Sequence, residues 1–560
     1  MDIDALDKLP TDVKELQRLA RQLQQQIQTK EREITEQERE LTKQERELNK
    51  KERKIAKQQN KLASLHRIIE KLFEERRLDR ARRFAANSEK GALQYCLFDE
   101  AEQLVETEEG KPSEDPDSGI EVKAHKRRGG RKPLPKDLPR TRIVHELSEE
   151  EKRCACGCQM QKIDEVSSEQ LDIIPAQITV IEHVRYKYAC QHCDEAPKTA
   201  PMPAQPIPKS RASAGFLAYV DTSKYADGIP LYRQCHVLGR LGIEQERHTL
   251  AHQMIKAGEL TQPLINLLNE NALDHPVVQM DETRTQVLQE PGKAASSQSY
   301  MWVMRGGPPD QPVVLFNYDP SRSQTVPERL LFGYQGYLQT DGYAGYNKVL
   351  ETEGITGLGC WQHARRKFTD AQKAIKRSDR MPHTRVQQAL RFIGRLYAIE
   401  KSAKKKEPEE RYRIRQQKSV PVLEEFKKWL DHINTNPSGK LGEAITYLRN
   451  QWERLLVYCE DGRLEIDNNW IENKIRPFAI GRKNWLFSAS QKGATASASL
   501  YSLIETAKAN HLNEYAYLKY IFTELPKATC LEDYERLLPW NVELSVLQGM
   551  LKASATNAVE

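Results

Sequence analysis

The sequence has no stretch of 18 apolar residues, and its opening, MDIDALDKLP, lacks the basic and then apolar order of a leader. Neither a membrane-spanning helix nor a secretory signal is expected, which points to the cytoplasm. Apolar residues are scarce throughout: 38% of the chain against 30% charged, where an average globular domain has about 45–50% and about 25%. Long solvated helices or tails must therefore dilute an ordinary core, although a chain of this length has room for several domains of roughly 100–200 residues. Glycine and proline are absent from residues 12 to 80, so nothing there breaks a helix. The ten cysteines are not a disulfide set in a reducing compartment. Five of them, Cys154, Cys156, Cys158, Cys190 and Cys193, share one short stretch, which metal binding explains better.

The Gly- and Pro-free stretch contains a heptad repeat. Ile27, Ile34, Leu41, Leu48, Ile55, Leu62 and Ile69 recur at an unbroken spacing of seven. The partner positions three residues on are Lys30, Gln37, Gln44, Lys51 and Gln58 before turning apolar at Leu65 and Leu72, so the stripe is half as wide as a strong zipper requires. A weak coiled coil is expected, the alternative being one solvated helix held by Glu and Lys/Arg pairs at helical spacing. Residues 99–121 then hold ten acidic groups against one Lys, and residues 123–142 hold nine Lys/Arg against one Asp, the sign flip of a flexible linker with two partners. In the basic half, Arg127, Arg128, Arg131 and Lys132 alternate with Gly and Pro, like a degenerate AT-hook that could enter an A·T-rich minor groove. Two cysteine knuckles follow, Cys154 to Cys158 and Cys190 to Cys193, bracketing a strand-like tract from Ile173 to Tyr188. Tetrahedral Zn²⁺ needs thiolates converging from two loops; Cys154, Cys156, Cys190 and Cys193 are the first choice, with Cys158 as an alternative ligand.

After a Pro-rich strip the pattern is helical from about 211 to 272, then β-favouring over Pro276–Thr283, Tyr300–Arg305, Pro312–Tyr318 and Tyr337–Gln339. Charge-rich helical sequence resumes over 361–458 and after 465, making a mixed sheet flanked by helices with a large helical insertion. Two aspartates, Asp281 and Asp341, end strand-like runs, where the sheet fixes a carboxylate's direction; Glu472 lies in a helical run with Arg476 one turn on. Three such acids could hold two Mg²⁺ (or Mn²⁺) ions, hard cations that prefer oxygen ligands, for phosphodiester chemistry. Arg365, Arg366 and Lys367, with Arg476, Arg482 and Lys483, could hold phosphates beside them. Trp361, Trp470 and Trp485 could stack on a splayed base, or be core tryptophans with snorkelling arginines.

Together the motifs resemble a known family. The chain is similar to the large transposase of the insertion-sequence-66 (IS66) family of bacterial mobile elements, in that family's order: Ser88-Glu89-Lys90 with Leu97-Phe98-Asp99-Glu100, GGRKPLPKDLPR, YACQHC, SKYADGIPLYRQ, MDETRTQV, LQTDGYAGYN, CWQHARRKF, IDNNWIENKIRP, GRKNWLF and LLPW. The resemblance implies a multidomain α+β protein: a coiled coil (1–80), a short helical segment and acidic linker (81–122), a basic arm (123–148), a zinc-binding domain (149–208) and a helical DNA-binding or linker region (209–274). A ribonuclease-H-like core (275–360 and 461–541), interrupted by a helical insertion (361–460), and a tail (542–560) complete it, with a helix-turn-helix ahead of the zinc hairpin. It also implies Asp281, Asp341 and Glu472 as a catalytic DDE triad on magnesium, structural zinc, and double-stranded DNA as partner. A homodimer or higher oligomer on DNA, accessory proteins from the same element and nucleoid association complete the implied setting. The sequence departs from the family in its compressed first knuckle and in Ser488-Ala489-Ser490, which replaces a more glycine-rich turn. Two other functions fit some residues: a tyrosine recombinase using His363, Arg366 and Tyr397, and a non-catalytic DNA-binding regulator or scaffold.

Overall fold

The stretch without helix breakers is one helix of 71 residues, Val13–Arg83, in a computed structural model that describes residues 13–83, 142, 144–145, 170, 177–188, 198–375, 384–433 and 439–556. Most of it is solvated, and the heptad residues Ile27, Leu48, Ile55, Leu62 and Ile69 are all exposed on the single chain. Among the described residues, no helix is long and apolar enough to cross a membrane. The chain divides into two compact units, one taking in Met1–Val105, Gln339–Tyr343 and Thr356–Asn469, the other Glu106–Leu338, Ala344–Ile355 and Trp470–Glu560.

In the first unit the last turns of the long helix meet a helical body. Leu78 is buried there, Arg77 donates to the Ala374 carbonyl at 2.7 Å, and the Glu74 carboxylate accepts the Lys440 amide at 3.0 Å. The body comprises Trp361–Ala374, Arg385–Ala403, Pro408–Ile414, Val420–His432 and Lys440–Leu456. Their apolar faces close on an aromatic cluster: Phe426 stacks on Phe392 at 4.7 Å and meets Trp452 edge-on at 5.6 Å, with Trp361 alongside. A wholly buried Arg415 is paired with Glu400 and donates to the carbonyls of Tyr458, Asp461 and Leu464. A buried guanidinium is tolerated only when paired and hydrogen-bonded in this way, and here it holds an irregular loop by its backbone.

The second unit begins, among described residues, with a short antiparallel pair, β1 (Lys187–Tyr188) and β2 (Lys198–Thr199). This pairing brackets the second cysteine knuckle in the sequence, and of the tract Ile173–Tyr188 expected to be strand-like, 177–186 are not strand while Lys187–Tyr188 are. Four helices follow: Ala214–Tyr225, Leu231–Arg240, Arg247–Leu260 and Gln262–Asp274. The main sheet has β3 (Val277–Gln289), β4 (Gln298–Gly306), β5 (Val313–Asp319), β6 (Gly336–Gln339) and β7 (Ile355–Leu358) in the order β5-β4-β3-β6-β7, with β8 (Ser488–Ser490) pairing with β3 off this path. β3, β4 and β5 form an antiparallel meander, and β8 joins the far end of β3 in parallel, Val287 opposite Ser488.

β5 ends the sheet order, and an uncovered edge would leave its amides unpaired. The helix Gln491–Ala509 supplies their partners from its side chains. Ser502 accepts the Phe316 amide at 2.8 Å, Thr506 accepts the Val314 amide at 3.0 Å and donates to the Val314 carbonyl, and Asn510, just past the helix end, donates to the Pro312 carbonyl at 2.9 Å. The match is geometric: four helical residues rise about 6 Å and two strand residues about 6.7 Å, so a hydroxyl every fourth residue meets every second strand position.

Candidate active site

Asp281 is the fifth of the thirteen residues of β3, opposite Val303 of β4, and not at a strand's end as the pattern of VVQMDET indicates. The strand runs on because Thr285 and Val287 keep every second residue buried beyond it. Its carboxylate is half-buried and accepts the amide of Glu282 at 2.8 Å. The adjacent acid, pointing to the other face, has a different part. Glu282's side chain is 2% exposed and accepts from Arg322 Nε at 2.9 Å and the Tyr346 hydroxyl at 2.7 Å. One strand thus carries a buried structural carboxylate and a half-open one side by side.

Asp341 follows β6 by two residues. Its Oδ1 accepts the Tyr343 amide at 2.8 Å, an Asx-type turn, and its carbonyl accepts the Tyr447 hydroxyl at 2.7 Å. Gly342 between them sits at φ +85°, where a side chain would be strained and would press on Gln451. Burial first, then Cys360 and Asp341, hold the Tyr447 phenol far above its ordinary value, so it stays a donor.

Glu472 is buried in the first turn of the helix Asn469–Trp485, with Arg476 half-buried one turn on. This helix is tied to the meander on both sides of Asp281. At its start the Arg305 guanidinium lies over the Trp470 ring at 4.1 Å and donates to Gln279 at 3.2 Å. Near its end, Arg482 donates to the Thr283 hydroxyl at 3.3 Å. Gln279 and Thr283 lie two residues to either side of Asp281 and, by the strand period, share its face. Upstream, Asp467 accepts the Tyr397 hydroxyl at 2.8 Å and the Asn469 side chain at 3.1 Å, and the Asn468 amide meets Cys360 Sγ at 3.3 Å.

The other candidates fall into place unevenly. Arg365 is buried on its helix, whereas Arg366 and Lys367 are exposed; Arg482 is half-buried and Lys483 exposed. Trp361 is fully buried and donates to the Leu455 carbonyl, and Trp485 is covered by Lys224 at 4.0 Å with Tyr225 and Tyr501 against its edges and face. With Trp470 under Arg305, the tryptophans take the core and cation-stacking role, not that of open base platforms. Tyr397 is buried, and burial and Asp467 raise its pKa well above its ordinary value, so it lacks the exposed, ionisable hydroxyl that a recombinase nucleophile needs. The five knuckle cysteines, the arm residues Arg127, Arg128, Arg131 and Lys132, and the helix-turn-helix expected ahead of the zinc hairpin lie outside the described residues.

The donor chemistry of Asp281, Asp341 and Glu472, three carboxylates, suits a hard divalent cation. Among the described residues, no three His, Cys, Asp or Glu side chains are grouped closely enough to hold a metal ion. Carboxylates repel one another without a cation between them, so such a group has no reason to close by itself. Sequence reasoning missed Glu282, Arg322 and Tyr346, and nothing local marks them: their burial is decided by segments 40 and 64 residues from Glu282.

Four family profiles match the chain. "Transposase IS66 family" covers residues 209–496, "zinc-finger binding domain of transposase IS66" 151–194, "IS66 C-terminal element" 502–540, and "Transposase C of IS166 homeodomain" 71–143. Three uncharacterized proteins of Sinorhizobium fredii are similar over most of their lengths. The protein y4jD is 32% identical over 425 residues, 73% of this chain and 81% of its own. The proteins y4qI and y4hP are 31% and 30% identical, with 73% and 74% of this chain aligned to 78% and 77% of theirs.

Proposed function

The chain belongs to the IS66 transposase family, and on that premise we propose that it is a DDE-type DNA transposase that binds the ends of a bacterial insertion sequence, cleaves strands there and joins the freed 3′-hydroxyls to target DNA. The observation that carries this reading is the double tie between the helix bearing Glu472 and the strand bearing Asp281, through Trp470–Arg305–Gln279 on one side and Arg482–Thr283 on the other. It supports a reading in which the strand and the helix carry two of the three proposed acids, and Asp341, held by its own turn, would supply the third. The sheet order, with β3 ending a three-strand antiparallel meander and followed by β6 and β7, supports a ribonuclease-H-like core. Magnesium or manganese, as two ions on Asp281, Asp341 and Glu472, would supply Lewis acidity for the attacking and leaving oxygens. Arg366, Lys367, Arg476, Arg482 and Lys483, with Arg365, would position phosphates. The arm residues Arg127, Arg128, Arg131 and Lys132 would add sequence-independent affinity. Structural zinc would sit on Cys154, Cys156 (or Cys158), Cys190 and Cys193, and the exposed heptad stripe would pair copies of the chain on DNA.

The test is a set of single substitutions assayed for strand cleavage with magnesium and for end binding. Asp281→Asn, Asp341→Asn and Glu472→Gln should each lower cleavage by roughly 10²–10³-fold, several kcal/mol of lost Lewis-acid stabilisation, while binding is kept. Glu282→Gln should instead destabilise the fold, since it strips a buried partner from Arg322. A wild-type cleavage rate in any of the first three removes that residue from the triad.

A further inference from the structure

The long helix is held to the helical body of its own unit by Glu74, Arg77 and Leu78. Ahead of these contacts Leu62, Leu65, Ile68, Ile69, Leu72 and Phe73 are between 48% and 67% exposed, and the apolar stripe continues back to Ile27. The charges beside the stripe say what covers it. With Ile27, Leu48, Ile55, Leu62 and Ile69 at heptad position a, the d positions are Lys30, Gln37, Gln44, Lys51 and Gln58, then Leu65 and Leu72. Flanking position g carries Glu33, Glu40 and Glu47 in the first half and Lys54 and Lys61 in the second. In a coiled coil, e and g charges set which chain pairs with which, and in which direction.

A second copy laid parallel and in register meets like charge along most of the helix. Its d layers set Lys30 against Lys30 and Lys51 against Lys51, and its g-to-e flanks set Glu33 against Glu38 and Glu47 against Glu52. The one apolar flank it gains is Ile68 against Phe73. Turning the second copy around reverses both faults, because a then faces d and g faces g. With Ile27 level with Leu72, Lys51 lies on Leu48, Lys30 on Ile69 and Gln44 on Ile55, where a lysine stem packs while its ammonium reaches water. The flanks become Glu47 with Lys54 and Glu40 with Lys61, each twice by symmetry, against one Glu–Glu contact, also twice, between positions 45 and 52. Slipping by one heptad either way sets Glu47 against itself or Lys54 against itself.

We propose that two copies of the chain pair through residues 27–72 as an antiparallel coiled coil in this register. The proposal deepens the pairing of copies in the functional reading above by giving it a direction. Because Glu74, Arg77 and Leu78 tie each helix to its own helical body just past the paired stretch, the two bodies stand at opposite ends of the coiled coil. At about 1.5 Å per residue that separates them by roughly 70 Å. A parallel pair would bring them side by side.

The experiment is sedimentation equilibrium of the full chain without DNA. Glu40→Lys with Glu47→Lys turns the attractive flanks into repulsive ones and should raise the dimer Kd by roughly tenfold or more. In a parallel pair the same change would set Lys against Glu and lower it. Lys54→Glu with Lys61→Glu should weaken self-association likewise. An equimolar mixture of the two variants should regain the wild-type affinity or exceed it, since every Lys then faces a Glu, a rescue that mere loss of helix in either variant does not give. All four side chains are exposed, so the thermal midpoints should match wild type. Tighter association of Glu40→Lys with Glu47→Lys overturns the direction, and a mixture no better than its components overturns the register. A wild type that is monomeric throughout, or a dimer indifferent to both variants, overturns the pairing itself. With DNA absent, such a failure leaves the catalytic reading standing, and wild-type cleavage by Asp281→Asn would leave the coiled coil standing.

Discussion

Asp221 shows how strongly burial alone acts on a single residue. It is fully buried in the helix Ala214–Tyr225, and its oxygens have no hydrogen-bond partner among the described residues. Burial raises its pKa well above the ordinary 3.8, with Lys224 only partly offsetting this. Lys224 in turn is pulled down to about 8 by burial, against the pull of Asp221. Both shifts favour the neutral forms, so desolvation outweighs attraction in this pair. From about pH 4 up to the raised value the folded state holds a proton that the unfolded state has released, so stability falls as pH rises through that window. Asp221→Asn removes the titration: it should be as stable as wild type near pH 4 and more stable at neutral pH, read from denaturant midpoints across that range. A deficit that is the same at every pH would show that the carboxylate contributes something other than charge.

At the scale of the element, the cover of β5 is the clearest dependence of sheet on helix. Ser502 and Thr506 are buried, and each serves a backbone group of an edge strand with no further strand beside it among the described residues. Thr506→Val keeps the shape and removes the hydroxyl, leaving the Val314 amide uncovered, which should cost about 1–3 kcal/mol in equilibrium unfolding. Ser502→Ala should do the same at Phe316, and because both hydroxyls sit on one helix face the two losses should not add fully. The long helix poses the opposite case. Its described heptad residues are exposed and most of their partner positions are Lys or Gln, so Leu48→Glu with Ile55→Glu should leave thermal unfolding of the chain unchanged yet weaken its self-association in sedimentation.

For the whole molecule, we propose that the basic arm and the zinc module share the affinity for DNA. If Arg127, Arg128, Arg131 and Lys132 lie along phosphates, replacing all four by Ala should reduce the slope of log K against log[salt] by up to about 3–4 on duplex DNA, for specific and non-specific sequences alike. An unchanged slope would make the arm a solvated linker. Zinc, at about one equivalent, should be lost from Cys190→Ser with Cys193→Ser, because a knuckle closes only around its ion.

Much of this protein is legible in one dimension. The uninterrupted helix Val13–Arg83 follows from the absence of Gly and Pro, and the meander strands from β-favouring runs between turn residues, because backbone preference is set by nearest neighbours. Family membership follows too, since ordered motifs such as MDETRTQV and IDNNWIENKIRP are properties of the string itself. What only the tertiary structure decided is which side of each residue meets water. It buried Glu282 against Arg322 and Tyr346 while leaving its neighbour Asp281 half-open, put Trp485 under Lys224, and turned Tyr397 toward Asp467. It also carried β3 eight residues past Asp281, where paired strands supply what the sequence TRTQVLQ alone does not announce. The physical reason is the same in each case: burial, and with it charge state and hydrogen bonding, depends on which distant segment arrives at a side chain, and no local pattern encodes that arrival.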